Sequence, residues 1–324
     1  MKYYLAPLEG VTNYIYRNAY HKHFSPMDKY FTPFISTNQN NSFSTRELKE
    51  ILPANNVGLF TVPQILSNNA EAFVKTAHAI RAYGYDEVNL NLGCPSNTVV
   101  AKNRGSGFLF HPEALDRFLD TIYSQTQMKI SIKTRLGKFD PDEFYNLTKI
   151  FNQYPMEELI IHPRIQKDMY KNKPRLDVFS QTLGEFNCSV CYNGDIFNAS
   201  DYHDIEAMFP TVEHVMLGRG IIGNPSLVGQ IKTGTTADKE TFRKFHDTLY
   251  FEYQKVMYGE KNVLNKMKEL WFYMIHMFSD GKKVAKKIKK CETLYNYDLI
   301  INDLFDSHDL LIDSPGYRIV ADGL

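Results

Sequence analysis

Apolar residues fall along this chain in short runs, separated by longer stretches where they recur every three or four positions. The runs at 3–6, 29–32, 58–64, 87–92, 129–134, 158–162, 189–192 and 214–217 predict strands. Between most of them lie 70–83, 112–123, 141–151 and 199–209, which have helical spacing, and 43–51, a weaker helix. Eight strand–helix units in about 230 residues match a (β/α)8 TIM barrel. A doubly wound open sheet is the alternative, but no GxGxxG follows the first strand. After Gly234 no further strand is predicted. Phe242, Phe245, Leu249, Tyr253 and Val256 form one helical stripe, and Val263, Met267, Leu270, Trp271, Met274 and Phe278 a second. Two more helices are expected at 282–290 and 292–304. The chain therefore reads as a barrel over 1–234 and a small C-terminal helical bundle over 235–324.

In a barrel, alternate strand residues point inward. Ile130 and Ile132 then face the helices, which leaves Ser131, Lys133 and Arg135 inside or at the rim. Val88, Leu90 and Leu92 face out, and Asn89 and Asn91 face in. The third strand ends with Gln64, the sixth with His162 followed by Arg164, and the seventh with Asn193. These polar ends meet where strands give way to βα loops, the face that carries barrel active sites. Burying unpaired amides and cations there is costly, so a polar ligand rich in acceptors is implied. Taken singly, His162 reads as a core histidine and Lys133 as a snorkelling lysine. Their joint placement on several strands carries the argument.

One loop stands out, residues 89–107, NLNLGCPSNTVVAKNRGSG. Cys94 sits at its tip between Gly93, which frees the backbone, and Pro95, which stiffens it. A lone cysteine is usually a small buried hydrophobe. Here its neighbours are Asn89, Asn91, Asn97 and Lys102, which favours a reactive thiol.

The last two strands end in Tyr192-Asn193-Gly194-Asp195 and Leu217-Gly218-Arg219-Gly220. Loops after the seventh and eighth strands are the usual phosphate site of this fold, and Arg219 can add a charge-assisted contact. A phosphate there, Lys133 across the mouth, and amides at Gln64 and Asn193 suit a flavin mononucleotide.

Composition narrows the partners. Hydrophobic residues make up 43% and charged residues 23%, which is globular. No apolar run approaches the roughly 20 residues of a membrane-spanning helix, and the N-terminus lacks a signal-peptide core, so a cytoplasmic protein is expected. Four scattered cysteines make no disulfide framework. Cys188 and Cys191 lie three apart in a predicted strand, on opposite faces, and no metal is expected. Lys+Arg and Asp+Glu are both 37, so any nucleic-acid argument rests on local clustering. The helical region supplies it with Lys261, Lys266, Lys268, Lys282, Lys283, Lys286, Lys287, Lys289 and Lys290.

Taken together these segments resemble the tRNA-dihydrouridine synthase family. APLEGVTNYIYR is similar to the family's APMxGVTDxxFR, VNLNLGCPS to its active-site loop, and GSGFLFHP to GxxLLxxP. SIKTRLG, LIIHPR, YNGDI and MLGRGIIGNP resemble four further motifs in the same order, and KELWFYM with the following lysines resembles the C-terminal helical domain. Ordered motifs are specific jointly where each alone is weak. The resemblance implies an FMN-bound barrel that reduces a uracil ring in tRNA, with NADPH reloading the flavin; a monomer is expected. It places Pro7, Leu8 and Glu9 along the flavin ring, with Gln64, Lys133 and His162 hydrogen-bonding it. Asn193, Gly194, Asp195, Gly218 and Arg219 would hold ribityl and phosphate. Cys94 would be the general acid, protonating C5 of uracil while flavin N5 delivers hydride to C6. Asn91 would orient the uracil, Arg135 and Arg164 would hold the nucleotide, and Lys286 and Lys287 would contact the RNA backbone. Leu8, Asn13, Asp168 and Val178 depart from residues frequent in the family, and His162-Pro163-Arg164-Ile165 stands where HGRT is usual. Three other readings stay open: the same chemistry on ribosomal RNA, a dihydroorotate dehydrogenase-like oxidoreductase acting on a small molecule, and an RNA-binding protein with vestigial flavin chemistry.

Overall fold

In the computed structural model, which describes residues 1–38 and 42–311, the parallel strands line up in chain order. They are Lys2–Leu5, Lys29–Phe31, Thr61–Val62 with Gln64–Leu66, Glu87–Leu92, Lys129–Gly137, Glu158–Ile165, Ser189–Tyr192 and His214–Leu217. The third strand is broken at Pro63, which has no N–H to give to a ladder, although its carbonyl still accepts from Asn89 N at 2.9 Å. Its first half pairs with the second strand and its second half with the fourth, so the sheet closes into a barrel. A two-residue strand, Ile35–Ser36, pairs beside the second half. The eight strands expected from the apolar runs are all present, with ends shifted by a few residues.

Helices follow where the spacing predicts them: Thr45–Ile51, Ala70–Arg81, Pro112–Gln125, Glu143–Phe151 and Ala199–Met208. Their starts obey local chemistry. Ser44 and Glu47 form a capping box, and the Asn69 side chain caps Ala72 N. A helix at Leu176–Leu183 was not among those read from the pattern.

The chain falls into two compact units. One comprises Met1–Glu9, Asp28–Gly194 and Phe209–Met216, and the other Gly10–Met27, Asp195–Met208 and the chain from Leu217 onward.

Inside the first unit, Tyr4, Ala6, Phe31, Val62, Ile160, Cys191 and Met216 form the apolar plug of the barrel, with Leu8 packed against it. At the N-terminal end of the strands lies an ionic cluster that sequence reading missed. Lys29 Nζ is 2.8 Å from Glu87 and 3.8 Å from Glu158, while His214 Nδ1 and Tyr4 Oη approach Glu158 at 2.5 and 2.9 Å. Burial pushes the Glu87 carboxyl up, against the pull of Lys29. From Glu87 a hydrogen-bonded chain climbs the wall. Ser131 Oγ donates to Glu87, Asn89 Nδ2 to Ser131, Gln64 Nε2 to Asn89, and Asn91 Nδ2 to Gln64, all within 2.7–3.0 Å. Ser131, Asn89, Gln64 and Asn91 thus satisfy one another up the wall.

The second unit is built on aromatic packing. Tyr16 of the helix Tyr14–His23, which the pattern did not predict, and its C-cap Phe24 meet Phe245 at 5.7 and 5.0 Å between ring centroids. Phe245 lies on the 18-residue helix Lys239–Val256. Trp271 Nε1 donates to Tyr297 Oη at 2.8 Å, and His246 Nε2 lies 2.6 Å from the same oxygen. The expected terminal helices are present as Gly281–Lys290 and Leu294–Ser307. No helix among the described residues is long and apolar enough to cross a membrane.

Candidate active site

The fourth strand ends by capping its own loop. Asn91 Oδ1 accepts from Gly93 N at 3.1 Å and from Cys94 N at 2.9 Å. The Cys94 carbonyl is held from the other side by Ser106 N at 3.1 Å and Ser106 Oγ at 2.8 Å. Gly105 makes that approach possible: its φ is +55°, and a Cβ there would lie 2.7 Å from the Cys94 oxygen. Arg135 Nε donates to Gly93 O at 3.0 Å and Gln166 Nε2 to Pro95 O at 3.3 Å. The backbone around Cys94 is therefore fixed on every side while its half-buried side chain projects from the loop. Burial pushes the thiol above its ordinary range, outweighing the Ser96 backbone bond and the nearby Arg135 and Lys133. Cys94 is a protonated thiol at neutral pH.

Lys133 sits in the next strand, in register with Asn91. Its ammonium donates to Asn193 Oδ1 at 2.7 Å, and Asn193 Nδ2 is tied to Met216 O at 2.8 Å. Burial, and then the charge of Arg135, push the Lys133 amine down to about 8. It is half-buried, a cation aimed by an amide that is itself fixed.

Sequence reading placed Arg135 and Arg164 against the nucleotide, but both are only 1% exposed. Arg135 also donates to Ile165 O and Met169 O at 2.9 and 2.8 Å. Arg164 donates to Asn172 O at 2.6 Å and lies 2.9 Å from His162 Nε2. Both brace loops: Arg135 donates to three backbone carbonyls, and Arg164 to one and towards His162. Met169 carries φ +51° and ψ −103°, a conformation that a side chain tolerates only when its surroundings enforce it, as Arg135 does here. Asp168 bonds Ile165 N, Asn172 Nδ2 and the Arg175 guanidinium. Burial alone would raise its carboxyl, but the Arg175 and Asn172 bonds prevail and hold it below the usual carboxylate range. This answers the departure at Asp168: here the acid locks the loop behind His162.

The other expected cofactor residues divide. His162 is mostly buried, with Tyr170 stacked 6.1 Å away. Gln64 is fully enclosed, its amide engaged by Asn89 and Asn91. Pro7 and Leu8 are half-buried, and Glu9 pairs with Arg46 at 2.5 Å. Gly194 is required by packing, since a Cβ there would meet Tyr192 Oη at 2.1 Å. In the second unit Arg219 pairs with Asp195 at 2.7 Å. Gly220 lets its turn lie against Ile196 O, which a Cβ would approach to 1.9 Å, and Gly218 precedes it with φ −116° and ψ −105°. On the lysine-rich helix, Val284 and Ile288 are buried while Lys282, Lys283, Lys286, Lys287, Lys289 and Lys290 are exposed. Lys266 does not belong to that surface as sequence reading had it: it is 8% exposed and donates to Gly10 O and Glu269. Lys268 is likewise tied, to Cys291 O at 2.6 Å.

Ser106, Gly105, Asn172 and Arg175 were not singled out from sequence. The one signal available was the glycine-flanked Ser106 a dozen residues after Cys94.

Comparison with known proteins agrees with this geometry. Residues 4–304 match the family model described as dihydrouridine synthase. A Synechocystis protein named probable tRNA-dihydrouridine synthase 1 is 26% identical over 285 residues, covering 83% of this chain and 76% of its own. A Staphylococcus epidermidis protein named probable tRNA-dihydrouridine synthase is 28% identical over 227 residues, covering 68% and 69%. Among solved structures, a variant of NCR from Zymomonas mobilis superposes with a TM-score of 0.53 at 13% identity, over 75% of this chain and 90% of that one. A morphinone reductase mutant in complex with tetrahydroNAD gives 0.52 at 12%, over 74% and 90%. These two likenesses speak for the fold alone. The family match over nearly the whole chain, with the barrel that carries Cys94 and Lys133, leads to one conclusion: the chain belongs to the dihydrouridine synthase family of flavin-dependent oxidoreductases.

Proposed function

We propose that this protein reduces the C5–C6 double bond of specific uridines in tRNA, using a bound flavin mononucleotide recharged by NADPH. The carrying observation is the Cys94 thiol, kept protonated by burial on a loop pinned at both its N–H and its carbonyl. The flavin, when bound, supplies the hydride that the uracil ring takes at C6. Cys94 Sγ–H supplies the proton at C5, and the thiolate it leaves regains a proton from solvent. A thiol held as a thiol is the form this role needs.

The residues fit a flavin. Lys133 is a half-buried cation already aimed by Asn193, able to stabilise negative charge on a ring above it. Pro7 and Leu8 supply an apolar edge and His162 a hydrogen-bonding one. Taken by itself, the turn at Gly218 and Arg219 is the proposed holder of an anionic group. The uridine must leave its stack to be reached, an unstacking cost least for an unpaired base. The region after residue 234, with Lys286 and Lys287 outward, is the proposed RNA-binding part.

The test is to map reduced uridines by mass spectrometry in RNA from cells with and without the gene, then repeat the reaction with purified protein. Loss of dihydrouridine at defined tRNA positions is expected. Cys94→Ala should leave flavin reduction by NADPH intact and slow product formation by about 100-fold or more. Reduced uridines lost only from ribosomal RNA, or a Cys94→Ala enzyme at wild-type rate, would overturn the reading.

A further inference from the structure

Three βα loops of the first unit, those after the fourth, fifth and sixth strands, end in a cluster the chemistry above does not use. Phe110 and Phe139 are 48% and 42% exposed, yet they meet edge to face with centroids 4.9 Å apart. Lys138 Nζ lies 5.1 and 4.9 Å from the two ring centroids, and Lys167 Nζ lies 4.5 Å from that of Phe139. Core packing does not require this. Phe108 and Leu109 anchor the same 3-10 segment and are buried, so Phe110 is surplus to that task.

The tips are displayed on a rigid base. The segment bearing Phe110 begins at Gly105, followed by Ser106, which holds the Cys94 carbonyl through its N–H and hydroxyl. Phe139 stands on a turn whose N–H groups at Lys138, Phe139 and Asp140 all donate to the Glu143 carboxylate, at 2.8, 3.0 and 3.1 Å. Lys167 lies in the turn anchored by Asp168. Glu143 is engaged with the backbone of its own turn.

We propose that Phe110 and Phe139, with Lys138 and Lys167, form a stacking platform for an unpaired nucleotide of the tRNA beside the target uridine. Aromatic faces accept bases of any identity, and the two ammoniums that lie over the rings in the free protein swing aside to the phosphates when a base stacks. The inference rests on the tRNA reading above and adds the surface on the catalytic unit that grips the RNA next to the extruded base.

The probe is an unmodified tRNA transcript that the wild-type enzyme reduces. Phe110→Ala with Phe139→Ala should weaken its Kd by about 10-fold or more, while Phe110→Tyr with Phe139→Tyr stays near wild type. Lys167→Gln should lower the slope of log Kd against log salt by about one unit. Flavin content and NADPH-driven flavin reduction without RNA should not change in any of these. Should the double alanine variant fold poorly, Lys138→Glu with Lys167→Glu is expected to give the same loss of affinity. A folded double alanine variant, or that charge-reversed pair, binding as tightly as wild type overturns the platform. A wild type that neither binds nor reduces any tRNA transcript overturns the substrate reading instead.

Discussion

Asn91 separates two accounts of the same residue. The family resemblance assigns it to the uracil, whereas its hydrogen bonds tie it to the Cys94 loop. In Asn91→Ala the Gln64 Oε1 acceptor, which receives the 2.7 Å bond in a fully enclosed position, is left unpaired. That costs about 1–3 kcal/mol. The bonds from Gly93 N and Cys94 N, at 3.1 and 2.9 Å, are also lost. Both N–H groups are only part-buried and water can partly replace the partner, so each contributes about 0.5–1.5 kcal/mol. The variant should therefore lose about 2–6 kcal/mol, roughly 3–9 °C in Tm for a chain of this size. Its thiol also loses its fixed position, and a misplacement of about 1 Å can cost around 100-fold in rate. Asn91→Asp retains the acceptor for both loop N–H groups but sets a buried carboxylate oxygen against Gln64 Oε1, so it should keep more of the rate than alanine does while being no more stable. The assays are thermal melting followed by intrinsic fluorescence, and uridine reduction with kcat and KM separated. An alanine variant that melts with the wild type and is impaired only in KM for RNA would refute the loop role and return Asn91 to the substrate.

Lys133→Ala should release flavin on dilution or gel filtration; undiminished retention would remove the lysine from the cofactor site. Because its amine is pushed down to about 8, wild-type flavin retention should fall as pH rises through that value, whereas the alanine variant should be weak throughout. The folded chain holds this proton less tightly than the unfolded one, so the lysine's effect on ligand-free stability has the opposite sign, rising above pH 8. Lys286→Glu with Lys287→Glu, on the exposed face of the helix Gly281–Lys290, should raise KM for tRNA and flatten its salt dependence with flavin content intact. An unchanged KM and salt slope would mark those lysines as a solvated face.

The periodicity of the sequence determined the eight strands, most of their helices and the inward side of the fourth and fifth. Period two says which face a residue takes, and that needs no partner. The Cys94 loop was legible for the same local reason, a glycine and a proline around a thiol at a strand end. What only the tertiary structure decided is who stands across from whom. Glu87, Glu158, Lys29 and His214 open four different strands, and nothing local announces that barrel closure gathers them into one ionic cluster. Arg135 and Arg164 look like ligand cations in sequence because their charge is visible there. That loop carbonyls already occupy them depends on loops folding back from as far as Met169 and Asn172. Ser106 reaches the Cys94 carbonyl only because Gly105 adopts a positive φ. Pattern along a chain encodes burial, which is a property of one residue and its solvent. Hydrogen-bond partnership is a property of two residues and the register between them, and register is settled only when the barrel closes.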